Sequence, residues 1–239
     1  MTQLSPLALM ELQVRTLYEL DAFGRIIRMN TGAEPPVPRA APRFFLGRTH
    51  AGNVVLLHQD LPKHVAAELR TIAAAEPLAY DFEAPPRQLY PLLHALRRHA
   101  SAQDIWRGPA FTFPEELSAP SANVAELTRE DTHRLHPELA EWAVDFPDCE
   151  PAFSAFEDGV AVAICASARL GRGGAEAGVE TASGFRGKGY AGAATTAWAQ
   201  AIRDSGRVPF YSTSWENSAS RAVARKLGLT LFGEDIHVS

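Results

Sequence analysis

Residues 185–192 read Phe-Arg-Gly-Lys-Gly-Tyr-Ala-Gly, and this glycine-rich stretch decides the fold of the second half of the chain. It lies between a predicted strand, 175–181, and a predicted helix, 189–204. A loop of this kind exposes several backbone N–H groups at the positive end of a helix dipole, and its glycines carry no side chain that would keep a phosphate away. We therefore predict that the loop binds an anion and that this anion is a pyrophosphate.

Two other phosphate-binding motifs fit this stretch less well. A P-loop needs a serine or threonine directly after its lysine, but Lys188 is followed by Gly189, so that no hydroxyl is available for magnesium. Gly187, Gly189 and Gly192 do match the G-x-G-x-x-G pattern of NAD-binding domains. Such a domain places its first glycine directly after the strand and then adds several βα units, whereas here residues 182–186 intervene and fewer than 50 residues remain. This alternative predicts affinity for NAD and none for CoA.

A third motif matches the loop better. Arg186-x-x-Gly189-x-Ala191 resembles the [RQ]-x-x-G-x-[GA] loop of the GNAT superfamily of N-acetyltransferases. In that family the loop binds the pyrophosphate of acetyl-CoA at the turn between a strand and a helix. The resemblance therefore implies acetyl-CoA as the cofactor.

A second segment supports the same resemblance. Residues 214–228 contain Ser-Trp-Glu-Asn at the start of a predicted helix and Lys-Leu-Gly at its end. This arrangement looks like the second CoA-contacting segment of the GNAT family, and the two segments together are far more specific than either alone. The resemblance covers residues 121–239, about half of the chain.

The fold class that follows is α/β (α+β). The resemblance implies a GNAT-type mixed, mostly antiparallel sheet flanked by helices, preceded by a smaller α+β domain. A polar, proline-containing stretch, 115–123, predicts the boundary, so that residues 1–118 form the accessory domain and residues 119–239 the acetyltransferase domain. The first half carries no chemical motif, and we expect it to shape the acceptor site or to form an oligomer interface such as that of a homodimer.

The resemblance also implies a mode of cofactor binding. Pantetheine is expected in a V-shaped gap between the strands 175–181 and 208–213, where it pairs with exposed backbone groups as an added strand would. The amides of the glycine-rich loop are expected to hold the pyrophosphate. The cofactor-binding positions carried over in this way are Val179, Thr181, Arg186, Gly187, Lys188, Gly189, Tyr190, Ala191, Asn217 and Ser220.

Acetyl transfer to an amine needs a base, because an ammonium group has no lone pair with which to attack. Glu176 and Glu180 lie four residues apart on the predicted strand and so share one face of it. We favour Glu176, which is closer to the position of the base in GNAT relatives, with Glu180 as the alternative. The tyrosine that protonates the leaving thiolate in many relatives falls at Ala224, so Ser214, Ser220 or a water takes its place, or the thiolate leaves without help.

Composition limits the partners of the protein. The 239 residues include 23 basic and 28 acidic side chains, and without a basic cluster the protein is not expected to bind nucleic acid. The longest near-apolar stretch, 160–170, is too short to span a membrane. Two cysteines cannot form a disulfide framework, and no signal peptide is evident, so we expect a cytoplasmic protein. His133 and His136 lack an evident third ligand, so no metal site is predicted.

The negative charge is concentrated in one segment. Residues 121–150 contain eight acidic side chains and two arginines. The first helices of a GNAT domain wall the acceptor side of the cleft, so we expect a small, cationic amine as acceptor. The sequence thus predicts direct acetyl transfer from acetyl-CoA to a primary amine. The alternative is a non-catalytic acyl-CoA-binding module, in which the missing tyrosine reflects lost chemistry.

Overall fold

The structure, a computed structural model, describes residues 4–31, 40–102, 104–120 and 122–239, apart from the side chains of Asp145 and Pro147. The helices are α1 (Pro6–Leu17), α2 (Lys63–Ala74), α3 (Leu89–His99), α4 (Trp142–Asp145), α5 (Tyr190–Asp204) and α6 (Ser218–Lys226). The strands are β1 (Tyr18–Leu20), β2 (Ile26–Met29), β3 (Phe44–Arg48), β4 (Asn53–Leu57), β5 (Ile105–Thr112), β6 (Val124–Glu126), β7 (Ala152–Glu157), β8 (Val160–Leu170), β9 (Gly174–Thr181), β10 (Val208–Ser212) and β11 (Thr230–Val238). Short 3-10 turns occupy Arg129–Arg134, Pro137–Leu139, Phe146–Asp148 and Ser183–Phe185.

Nine of these strands form one large sheet in the order β4-β3-β11-β5-β10-β9-β8-β7-β6, and β1 and β2 form a separate hairpin. Within the large sheet β9 and β10 pair in parallel, whereas the other neighbouring strands pair antiparallel. The mostly antiparallel, helix-flanked sheet predicted from the sequence is thereby confirmed.

Helices cover both faces of the sheet. On one face α1 packs against Phe45, Phe210 and Phe232, and the turns around α4 pack against the outer strands β7 and β8. On the opposite face α5 buries Trp198 against β8, β9 and β10, while α2 and α3 cover β3, β4 and β11. The side chain of Trp198 is fully buried.

The sheet crosses the predicted boundary near residue 118. Strand β5, from the first half of the chain, lies between β10 and β11 of the second half. This strand is missing from the sequence prediction, because Gly108 and Pro109 read as strand breakers. A side chain at position 108 would place its Cβ 1.8 Å from the Thr213 carbonyl oxygen, and the Pro109 carbonyl accepts from the Thr213 N–H where β10 has already ended. Gly108 and Pro109 therefore allow the backbone of β5 to lie close to the backbone of Thr213.

Helix α1 ends at Leu17, and the next residues, Tyr18–Leu20, pair with β2. Among the helices of the described residues, none is both long and apolar enough to cross a membrane.

Candidate active site

The strands β9 and β10 separate at one end. Their parallel pairing runs from Val208–Gly174 to Phe210–Glu176 and then stops, although β9 continues to Thr181 alongside β8. Because β10 has moved away, the edge of β9 beyond Glu176 is not paired with it. The splayed pair forms the V-shaped gap that the sequence resemblance implies.

The glycine-rich loop lies at the wide end of this gap. Gly187 and Gly189 adopt φ values of +80° and +94°, in the left-handed region that side-chain-bearing residues rarely adopt. These turns bring the loop into the N-terminus of α5, with Gly189 as the cap residue and without a side-chain cap. The first N–H groups of α5 therefore remain available to an anion, as expected for a phosphate-binding helix start.

A cleft of about 970 Å³ lies between the loop, β9, β10 and α6. This volume is near the upper end of the roughly 300–1,000 Å³ typical of small-molecule sites. Nine of the ten predicted cofactor-binding residues line it. The exception is Lys188, whose ammonium lies 3.7 Å from the Glu157 carboxylate and over the ring of Phe185. In this conformation the Lys188 side chain therefore does not line the cleft.

The start of α6 forms the far wall of the cleft. Asn217 caps this helix, since its side-chain oxygen accepts from the Ser220 N–H at 3.0 Å. The Ser220 hydroxyl also lies 2.6 Å from the hydroxyl of Tyr211, a buried residue of β10 that lines the same cleft. Burial raises the pKa of Tyr211 to about 12, so this phenol is protonated at neutral pH. Ala224 packs in the same core cluster as Tyr211.

Ser214 is not among the residues that line the large cleft. Its carbonyl accepts from the Asn217 N–H at 3.1 Å, in the turn that leads into α6. The next residue, Trp215, donates its indole N–H to the buried carboxylate of Glu234 at 2.9 Å. These contacts anchor the turn, so the structure gives Ser214 a supporting position and brings Ser220 to the cleft instead.

The two candidate bases occupy different environments. Glu176 stands at the last paired position of β9 and β10, at the closed end of the gap, and is only 5% exposed. Burial raises the pKa of Glu176 to about 7, although hydrogen bonds from Ser212 and Gln13 and the charge of Arg169 act in the opposite direction. A carboxyl of this kind can gain or lose a proton near neutral pH, which suits a general base.

Glu180, in contrast, is exposed and lines both the large cleft and a second cavity of about 280 Å³. Its carboxylate accepts the indole N–H of Trp142 at 2.7 Å. The Trp142 ring lies over Gly178, where an added Cβ would come within 2.8 Å of it. Gly178 therefore leaves space between the two carboxyl groups on this face of β9. The second cavity is lined by Thr31, Glu141, Trp142, Asp148, Cys149, Ala168, Arg169 and Glu180.

The acidic segment 121–150 contributes only part of its charge to this second cavity. Glu141 and Asp148 line it, but the carboxylate of Glu138 accepts from the backbone and side chain of Ser183 at 2.8 and 2.9 Å. These hydrogen bonds lower the pKa of Glu138 and hold the loop ahead of α5. The side chain of Asp145 lies outside the described residues.

Several residues around the site were missed by sequence reasoning. Trp142, Tyr211 and Gln13 reach it through tertiary contacts that leave no local pattern. Residues 114 and 116–120, at the start of the stretch that predicts the domain boundary, also line the large cleft. The Arg203 guanidinium holds this stretch by donating to the carbonyls of Phe113, Pro114 and Glu115.

Comparison with known families agrees with the loop and strand geometry. Residues 145–234 match the family described as GNAT acetyltransferase. The matched region contains β9, the glycine-rich loop, β10 and α6, which line most of the large cleft. No curated protein matches the chain at a significant level.

Solved structures of similar fold include three bacterial proteins. One assigned as a GNAT-family acetyltransferase from Novosphingobium aromaticivorans is 16% identical, with a TM-score of 0.45 over 58% of this chain and 66% of its own. A GNAT-family acetyltransferase from Colwellia psychrerythraea is 16% identical, with a TM-score of 0.47 over 63% and 61%. A GCN5-related N-acetyltransferase-like protein from Streptococcus suis is 16% identical, with a TM-score of 0.49 over 83% and 85%. The chain thus spans less than two thirds of the length of the first two.

Proposed function

We propose that this chain, a member of the GNAT superfamily, is an acetyl-CoA-dependent N-acetyltransferase. Its acceptor would be a primary amine of a small cationic molecule. The observation that carries the proposal is the gap between β9 and β10 with a glycine-rich helix start at its mouth. Acetyl-CoA would supply an activated acyl group as a thioester. The direct test is the release of free thiol from acetyl-CoA in the presence of a panel of amines.

The residues of the cleft fit this cofactor. The N–H groups of Gly187 to Ala191 would hold the pyrophosphate, with Arg186 adding positive charge at the rim. The free edge of β9 at Val179 and Thr181 would pair with the pantetheine amides. Both contributions come from the backbone, so they depend on the glycines and on the strand splay rather than on particular side chains.

Two carboxyl groups would share the handling of the acceptor. Glu180, exposed and oriented by Trp142, would hold the incoming ammonium group in the second cavity. Glu176, buried at the closed end of the gap, would take its proton, directly or through a water. A pair of carboxyl groups in contrasting environments commonly divides such roles.

The second cavity fits a cationic acceptor. Three of its lining side chains, Glu141, Asp148 and Glu180, are acidic, and Arg169 is basic. The indole of Trp142 adds an aromatic surface that attracts cations. An amine with an additional positive charge is therefore the acceptor that this cavity favours.

Glu180→Gln is expected to raise the KM for the amine by about 10-fold and to leave kcat within about 2-fold. The substitution removes a charge-assisted hydrogen bond from an exposed site while keeping the shape of the side chain. Steady-state kinetics with the best amine of the panel measures it. Glu126→Gln, an exposed glutamate of β6, is the matched control and should change neither constant. An unchanged KM in Glu180→Gln would remove Glu180 from the acceptor site.

The leaving thiolate would receive a hydrogen bond from the Tyr211–Ser220 pair. This pair lines the cleft, whereas position 224 offers only a buried alanine methyl group. Tyr211→Phe is expected to lower kcat about 10-fold, the effect of losing one hydrogen bond to a charged group. Replacing acetyl-CoA by an acyl donor whose thiol has a lower pKa should reduce this deficit, because a better leaving group needs less help. An equal deficit with both donors would argue against the role.

One observation favours the alternative of a non-catalytic acyl-CoA-binding module. Ala224 occupies the position where many GNAT relatives carry a tyrosine acid. That alternative predicts binding of acetyl-CoA without thiol release for any amine. The two proposals are separated by measuring binding and turnover on the same preparation.

A further inference from the structure

Three buried polar side chains from distant parts of the chain meet at the closed end of the gap. Gln13 of α1, Glu176 of β9 and Asp235 of β11 are 0%, 5% and 2% exposed. The side-chain amide nitrogen of Gln13 donates to one oxygen of Glu176 at 3.3 Å and to one oxygen of Asp235 at 3.1 Å. A single amide group therefore bridges two carboxyl groups inside the core.

Some side-chain oxygens of this cluster accept no hydrogen bond from the residues that the structure describes. Among the described residues, Gln13 Oε1, Glu176 Oε1 and Asp235 Oδ1 have no hydrogen-bond partner although all three atoms are buried. Leaving buried acceptors unpaired is costly, and burying two carboxylates side by side as anions costs still more. A proton on one carboxyl group lowers both costs, since it removes a charge and supplies a donor.

The charged groups around the cluster indicate which carboxyl keeps the proton. Arg169 of β8 is the cation that acts on Glu176, and its charge favours the ionised form of that group. Burial, followed by the negative charges of Glu176 and Glu234, raises the pKa of Asp235. Tyr18 of β1 is also held neutral, because burial raises its pKa. The neighbouring Ser212 of β10 acts to lower the pKa of Glu176.

We propose that Gln13 and Asp235 are positioning residues for Glu176: the Gln13 amide fixes the carboxyl group that receives the proton of the amine, and Asp235 remains a neutral acid beside it. This inference rests on the proposed function, in which Glu176 is the base. The cluster then carries one negative charge, located on Glu176, where the gap closes. It also gives helix α1, from the half of the chain without a chemical motif, a direct part in the site.

A purely structural reason for the cluster is weak. Apolar side chains of similar volume in place of buried charged groups are often neutral or stabilising. A cluster that keeps a titrating carboxyl at the end of a substrate gap is instead typical of a functional site. A functional role requires that the cluster set the pKa of Glu176, whereas a purely structural role does not.

The test uses two variants that should move this titration in opposite directions. Gln13→Met keeps the side-chain length but removes a donor that stabilises the ionised Glu176, so the pKa of Glu176 should rise by about one unit. Asp235→Asn replaces a neutral acid by a neutral amide that brings additional N–H donors, so the pKa of Glu176 should fall by about one unit. Thr16→Val, a buried change one turn away on α1, is the control and should leave it unchanged.

Two measurements report the titration of Glu176. Carbon-13 NMR of the glutamate carboxyl groups, assigned through Glu176→Gln, reports it without any turnover. The acidic limb of the pH profile of kcat/KM reports it through activity. Opposite shifts in NMR support the cluster even if no amine is acetylated, which separates this inference from the proposed function. Unchanged values, or shifts in the same direction for both variants, would overturn it.

Discussion

Glu176→Gln is expected to lower kcat by roughly 10²- to 10⁴-fold, the range typical for loss of a general base. The KM values for acetyl-CoA and for the amine should change little, because Glu176 lines neither of the two cavities. In the unmodified protein kcat/KM should fall as the pH drops below about 7, because protonated Glu176 cannot accept a proton. Thiol-release kinetics across this pH range would measure both effects.

Comparing kcat of Glu176→Gln with kcat of Glu180→Gln shows which of the two glutamates is the general base. Glutamine resembles the protonated form of glutamate, and burial already raises the pKa of Glu176 to about 7, so folding should be preserved. If Glu176→Gln retains kcat while Glu180→Gln loses it, the base is Glu180 and the role given to the buried carboxyl is wrong. If both variants keep kcat, neither residue is the base.

Gly189→Glu is expected to weaken acetyl-CoA binding by at least about 100-fold. The substitution places a carboxylate where the phosphates would lie, and juxtaposed like charges cost several kcal/mol. It also imposes a side chain on a residue with a φ of +94°, which strains the helix start. Calorimetric titration with acetyl-CoA would measure the change.

Gly184→Glu is the matched control for this prediction. Gly184 lies in the 3-10 turn of the same loop, has an ordinary backbone conformation, and an added Cβ there would meet nothing within 4 Å. The new charge is the same, so general electrostatic repulsion would weaken binding in both variants. Retained binding in Gly184→Glu together with loss in Gly189→Glu locates the phosphates at the start of α5.

Much of the second half of the chain could be predicted because its signals are local. The apolar run 160–170 and the strand 175–181 appear as β8 and β9, and Gly206 and Gly228 follow the ends of α5 and α6 with positive φ values. Strand β5 could not be predicted in this way. Its glycine and proline are suited to contacts with residues about a hundred positions later, and these contacts are absent from the local pattern.

The same contrast between local and distant contacts applies to the residues of the candidate site. The glycine-rich loop and the cap of α6 were found because each depends on neighbours in sequence. The environment of Glu176 was not, since Gln13 and Asp235 come from opposite ends of the chain. Burial by such distant elements determines whether a carboxyl acts as a base or as a surface charge. Sequence spacing alone therefore identified both glutamates but not their different surroundings.

The proposed function depends on the binding of acetyl-CoA in the gap between β9 and β10. Calorimetric titration of the purified protein with acetyl-CoA and, separately, with NAD tests it most directly. We expect saturable binding of acetyl-CoA, with one molecule per chain, and no binding of NAD. Binding of NAD without acetyl-CoA, or no heat with either ligand, would contradict it.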